Sequence, residues 1–105
     1  MISSEEIARV SKTIVDTYSP GKVILFGSYA SKTANENSDL DLMIISDREK
    51  DLPRYKRGLK LRIKLAEYRF KKDILFYTHD EIEKWEKVPN SFVNNVINEG
   101  IVLYG

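Results

Sequence analysis

Residues 26–46 read FGSYASKTANENSDLDLMIIS. The apolar run Lys22–Phe26 ends in Gly27-Ser28, and ten residues later Asp39 and Asp41 open a second apolar run. Short continuous apolar runs of this kind are strands buried on both faces. Side chains alternate across a strand, so Asp39 and Asp41 share one face while Leu40 and Leu42 take the other. Two like charges on one face repel, and desolvation raises the cost. The pair can sit in water at an open strand end, be neutralised by Lys or Arg, or bind a divalent cation.

Working outward, Ser3 and Glu6 are spaced as a capping box. Ile7, Val10, Ile14 and Tyr18 follow at helical spacing, and Pro20-Gly21 stops that helix. Residues 28–37 are small and polar and predict a short helix and a loop. The stretch LPRYKRGLKLRIKLAEYRF predicts one helix with Pro53 in its first turn and Gly58 inside it. Its periodic positions are Leu59, Ile63 and Ala66, flanked by Leu61, Leu65 and Tyr68. KKDILFYT is a third strand, residues 79–87 and 90–98 are two short helices parted at Pro89, and GIVLYG is a last strand. This order predicts an α/β or α+β domain spanning residues 1–105, with a mixed sheet of about four strands and helices packed mainly on one face.

Composition narrows the chemistry. The chain has 105 residues, 42% hydrophobic and 31% charged, with a formal net charge of +1. That balance gives no global pull toward nucleic acid or membrane, and direct nucleic-acid binding is not expected. The absence of cysteine removes disulfides, thiolate metal sites and cysteine nucleophiles. MISSEEIARVSK has no apolar core of a signal peptide, and no apolar run nears the roughly 20 residues that span a bilayer. The expectation is a cytoplasmic protein.

Carboxylates are the preferred ligands of Mg²⁺, so Asp39 and Asp41 form a candidate magnesium platform. An Asp before a strand is also an ordinary turn residue, and Asn37-Ser38-Asp39 is a good turn sequence. Asp73 enters the third apolar run in the same way. If that strand lies beside the second, three carboxylates meet at one edge and suit a two-metal site; otherwise Asp73 is a surface charge for Lys71 or Lys72. Gly27-Ser28 lets a backbone approach a phosphate closely, or is a plain strand-to-helix turn.

Residues 54–72 hold nine of the seventeen basic residues, namely Arg54, Lys56, Arg57, Lys60, Arg62, Lys64, Arg69, Lys71 and Lys72, against the single acid Glu67. Such a run can receive triphosphate, RNA or an acidic partner, or be the solvated face of a helix. His79, the one histidine, reads as a helix-start residue. No Ser or Cys triad pattern accompanies it. Tyr29 is placed to touch a ligand at Gly27-Ser28.

Taken together, Gly27-Ser28, Asp39-x-Asp41 and downstream Asp73 resemble the signature of the DNA polymerase beta-like nucleotidyltransferases. The small size is similar to the minimal nucleotidyltransferase (MNT) group, many of which are antitoxins of HEPN-domain ribonuclease toxins. The resemblance implies that Gly27 and Ser28 hold the triphosphate of ATP and that Asp39, Asp41 and Asp73 are catalytic and bind Mg²⁺, as two ions. It further implies AMP transfer to a hydroxyl, with a tyrosine of a cognate HEPN toxin as the family's acceptor. The family often continues Gly-Ser-x-Ala-Arg-Gly, whereas this chain has Ser31-Lys32 at the last two positions. Lys32 then stands as the nucleotide-binding cation, a point charge without the arginine fork. The rival readings are a non-catalytic antitoxin that binds its partner, and an enzyme acting on a small molecule such as an aminoglycoside.

Overall fold

The computed structural model describes residues 1–105. Helix α1 (Ser4–Tyr18) starts at the capping box, with Glu6 N–H donating to Ser3 Oγ and Ser3 N–H to Glu6 Oε1, both at 3.1 Å. It stops where Ser19 turns left-handed (φ 50). There follow β1 (Lys22–Phe26), a single helical turn α2 (Ser28–Ser31), β2 (Leu40–Ile45), α3 (Leu59–Leu65), β3 (Lys72–Tyr77), α4 (His79–Trp85), α5 (Phe92–Glu99) and β4 (Ile101–Tyr104). No helix is long and apolar enough to cross a membrane.

The sheet order is β3-β2-β1-β4. β1 pairs antiparallel with β2 and β4, and β2 pairs parallel with β3. The expected four-stranded mixed sheet of an α+β domain is therefore present. The helices are divided between its faces more evenly than the sequence suggested. The larger core lies on the face of α1 and α3, where Val10, Ile14, Leu61 and Leu65 meet Val23, Leu25, Leu40, Leu42, Ile44, Ile74 and Phe76. On the other face, Ile82 of α4 and Val93 and Val96 of α5 cover Ile24, Met43, Ile45 and Tyr77. The alternation of β2 explains why both faces need cover: Met43, Ile44 and Ile45 are consecutive and all buried.

The segment expected as one helix from residue 52 is two pieces. A 3-10 turn spans Arg54–Lys56, and Gly58 breaks the chain with φ +73 before α3 begins. A Cβ on Gly58 would lie 2.1 Å from Phe76 Cζ, so the break lets the backbone pass against a core ring. α3 buries Leu61 and Leu65 and leaves Leu59, Ile63 and Ala66 exposed. The inward stripe is thus the one read as flanking.

The basic run is partly structural. Arg57 is only 5% exposed. Its Nη1 donates to Glu81 Oε1 (2.7 Å) and Phe76 O (3.3 Å), and its Nε donates to Leu52 O (3.0 Å). Arg62 donates to the carbonyls of Arg57 and Ile74, and Lys72 to those of Tyr68 and Phe70. These cations tie the loop and α3 to β3, with Arg57 buried and Arg62 exposed.

Burial pushes the Glu81 carboxyl up. The hydrogen bonds from Arg57 and the Thr78 N–H, with the charges of Arg57 and Arg54, outweigh that and bring it to about 2 from an ordinary 4.5. A depressed folded-state pKa stabilises the fold above the unfolded value and is lost as pH falls through the folded one. Denaturant midpoints should therefore fall between pH 4.5 and 2. Arg57→Ala should cost about 1.5–3 kcal/mol at neutral pH, because it removes charged hydrogen bonds from a Glu81 that keeps Arg54 and the Thr78 N–H, and it should flatten this acid-side slope.

Candidate active site

Asp41 and Asp73 are register partners on neighbouring parallel strands, and Phe26 is the partner of Asp41 on the other side. Leu40 and Leu42 face the α1 core, so Asp41 points to the α4–α5 face with Met43. Ile74 and Phe76 likewise send Asp73 to that same face with Leu75 and Tyr77. Asp39 lies one residue before β2, exposed and on the Asp41 side by alternation. The condition set by the sequence is met: the third strand lies beside the second and its carboxylate is level with Asp41.

None of the three is paired with a Lys or Arg; the five ion pairs of the chain lie elsewhere. Lys72, one of the two candidates for Asp73, spends its ammonium on the carbonyls of Tyr68 and Phe70. The Asp41 carboxyl is consequently held above its ordinary range, first by burial and then by the charges of Asp73 and Asp39. Uncompensated acids that feel one another fit a cation as the missing partner. No three His, Asp or Glu side chains are yet drawn close enough to cage an ion, so a cation would gather Asp39, Asp41 and Asp73 rather than enter a finished cage.

Gly27 is fixed here by its neighbour. Its φ is +72, and a Cβ on it would stand 2.2 Å from Asp41 Oδ2. Only glycine lets the turn after β1 lie directly against that carboxylate. Gly27, not Ser28, is the N-cap of α2, and the Ser28 hydroxyl is not used as a cap. Ser28 is therefore the first residue of the turn, directly after the glycine that lies against Asp41. At the other end of α2, Lys32 is left-handed (φ 62) and its N–H donates to Ser28 O. The family's usual glycine at this position has a physical reason, and lysine adopts the same geometry at a cost of about 1–2 kcal/mol.

Two expected contributors lie apart from the carboxylates. Lys32 lines a groove with Ile7, Leu25 and Leu103, on the α1 side of the sheet. The Tyr29 hydroxyl accepts from Ile2 N–H at 3.0 Å and is turned the same way. His79 is a helix-start residue as read: its N–H donates to Asp47 Oδ1 at 2.9 Å. What the sequence reading missed is aromatic. Phe26, level with Asp41, meets Phe92 edge-to-face at 5.5 Å between centroids. The two rings line a cleft of about 270 Å³ with Gly27, Ser31, Asn95 and Glu99. The signal for Phe26 was present, since period two from Ile24 puts it on the carboxylate face; nothing local marked Phe92.

An antiparallel β1–β2 pair extended by a parallel β3, with acids at the two strand starts and a Gly-Ser turn against one of them, is the architecture of a nucleotidyltransferase. The family description "Polymerase beta, Nucleotidyltransferase" matches residues 9–105, and the chain belongs to that family. It is similar to two proteins of Methanocaldococcus jannaschii. One, named "Putative protein adenylyltransferase MJ0604", is 36% identical over 83 residues, 79% of this chain and 77% of the relative. The other, "Putative protein adenylyltransferase MJ0141", is 38% identical over 81 residues, 76% and 75% of the two chains.

A raised Asp41 pKa means that its charge disfavours the fold at neutral pH, and that the penalty vanishes as pH falls below the ordinary 3.8. Asp41→Asn should therefore raise Tm at pH 7 and leave it unchanged near pH 3, by calorimetry. Asp73→Asn should move the Asp41 carboxyl down toward its ordinary range in a carbon-13 NMR titration. Gly27→Ala should displace Asp41 and lower nucleotidyl transfer about 10²-fold, the scale of an ångström's misplacement.

Proposed function

We propose that this nucleotidyltransferase is a magnesium-dependent protein adenylyltransferase that moves AMP from ATP to a hydroxyl of a partner protein, with a tyrosine of a HEPN-domain toxin as the acceptor. The observation that carries the reading is the level placement of Asp41 and Asp73 on adjacent strands, neither paired with a cation, with Asp41 lying against Gly27. The names of the two archaeal relatives supply the protein acceptor, and the resemblance to antitoxin nucleotidyltransferases supplies the toxin.

Asp39, Asp41 and Asp73 would hold Mg²⁺, which when bound shields the triphosphate charge and polarises the α-phosphorus. The chain's own residues do the rest. Gly27 keeps its backbone low enough for phosphate oxygens to approach, and Ser28 offers a hydroxyl and an N–H at the start of α2. The Phe26–Phe92 cleft is the apolar recess on the carboxylate face, and it suits a flat ring of the nucleotide. Asp73, at the open edge beside β2, accepts the proton of the attacking hydroxyl. The new bond joins that oxygen to the α-phosphorus, the bond to the β-phosphate bridging oxygen breaks, and pyrophosphate departs. Positioning and electrostatics supply most of the acceleration in phosphoryl chemistry.

Incubation with labelled ATP, Mg²⁺ and the product of the neighbouring gene should add one AMP to that partner, read by intact mass. Asp41→Asn should reduce the rate by about 10³-fold or more, in line with loss of a principal electrostatic group. Neutralisation of the partner that persists in Asp41→Asn with no adduct would instead establish a binding antitoxin. Labelling of an aminoglycoside but not of protein would establish the small-molecule enzyme.

A further inference from the structure

α3 is a helix with two apolar stripes, of which the fold uses one. Leu61 and Leu65, each 1% exposed, enter the core. Leu59 and Ile63 are 65% and 66% exposed, and Tyr55 in the preceding turn is 79% exposed. At 100° per residue Leu59 and Ile63 lie on the side opposite Leu61 and Leu65. Single exposed apolar residues are ordinary, but three in a row along one ridge are a patch of the kind that marks a contact surface.

The rim of the ridge is cationic. Lys60 and Lys64 follow Leu59 and Ile63 on one flank, Lys56 follows Tyr55, and Arg62 lies on the other flank. Lys64 meets Glu67 at 3.4 Å, but Lys56, Lys60 and Arg62 make no ion pair. Arg62 donates only to the carbonyls of Arg57 and Ile74. Beside the ridge runs a groove of about 390 Å³ lined by Leu52, Tyr55 and Leu59, with Lys56 and Arg62 at its walls.

We propose that the Tyr55–Leu59–Ile63 ridge of α3 and its groove dock an acidic amphipathic helix of a partner protein. An apolar strip with cations on both sides is complementary to an apolar stripe edged by Asp and Glu. The groove accepts a side chain from such a stripe, as helix-in-groove recognition requires. A second copy of this chain is a poor occupant, because a two-fold contact would set Lys56, Lys60 and Lys64 against their own equivalents. An anionic bilayer would meet the cations but would leave the groove unfilled. The ridge belongs to the α1 side of the sheet, whereas Asp41 and Asp73 face the α4–α5 side. Docking therefore leaves the carboxylates open, and the proposal stands independently of the acceptor named above.

The test uses the full chain labelled with nitrogen-15 and a synthetic Leu/Glu amphipathic peptide of about 18 residues, long enough to hold a helix once docked. A Leu/Lys peptide of the same pattern and vesicles of phosphatidylserine and phosphatidylcholine are the comparison probes. Shifts confined to residues 52–66, and an affinity that falls about tenfold or more in the Leu59→Ser, Ile63→Ser double variant at unchanged Tm, are expected. Lys60→Glu should weaken the Leu/Glu peptide and strengthen the Leu/Lys one, which keeps the test decisive if the double variant folds poorly. Equal binding of both peptides, shifts elsewhere, binding of vesicles alone, or self-association through the same residues would each overturn the proposal.

Discussion

The molecule is organised around two like charges that are kept level. Asp41 and Asp73 are register partners on the only parallel pair of strands, and neither forms an ion pair. Such an arrangement opposes folding, and it persists because the rest of the sheet fixes it. Leu40, Leu42 and Ile44 are each fully buried against α1 and α3. A slip of one residue in β2 would exchange them with the acids, so the register cannot relax to separate the charges. The repulsion is thus held in the fold, and a bound cation would relieve it.

Stability and function occupy different sides of the sheet. The α1–α3 face holds the larger core, and the arginine clasp ties the loop before α3 across to Glu81 of α4 and to the carbonyls of Phe76 and Leu52. The α4–α5 face has the smaller core, the carboxylates and the Phe26–Phe92 cleft. Gly27 connects the two requirements, since it ends a core strand and lets the next turn lie against Asp41. Gly58 has a corresponding structural role on the other side, where it admits the ring of Phe76.

Much of this was legible in the sequence because it is periodic or locally capped. The Ser3–Glu6 box, the continuous apolar strands and the shared face of Asp39 and Asp41 required only alternation and spacing, whereas the arrival of Asp73 beside Asp41 depends on the β2–β3 pairing. Less legible were features decided by tertiary contact. Leu59 and Ile63 match helical spacing as well as Leu61 and Leu65 do, and only the packing of α3 on Phe76 and Ile14 selects between them. Arg57 looks like any residue of a basic run until Glu81 arrives from α4. The helices on the second sheet face follow from Met43-Ile44-Ile45, a run apolar at every position, which needs cover on both sides. Lys32 could be placed beside Ser28 in sequence, yet its left-handed backbone turns it to the groove near α1.

In the function proposed above, Asp39, Asp41 and Asp73 act together as one cation-binding edge for a nucleoside triphosphate. Replacing Mg²⁺ by paramagnetic Mn²⁺ with ATP, and recording amide line broadening across the chain, tests it directly. The strongest loss of signal is expected at residues 39–42 and 72–74, with broadening also at Gly27 and Ser28. Broadening centred instead on Asp47 and His79, on Glu81, or nowhere above a control in EDTA would contradict it.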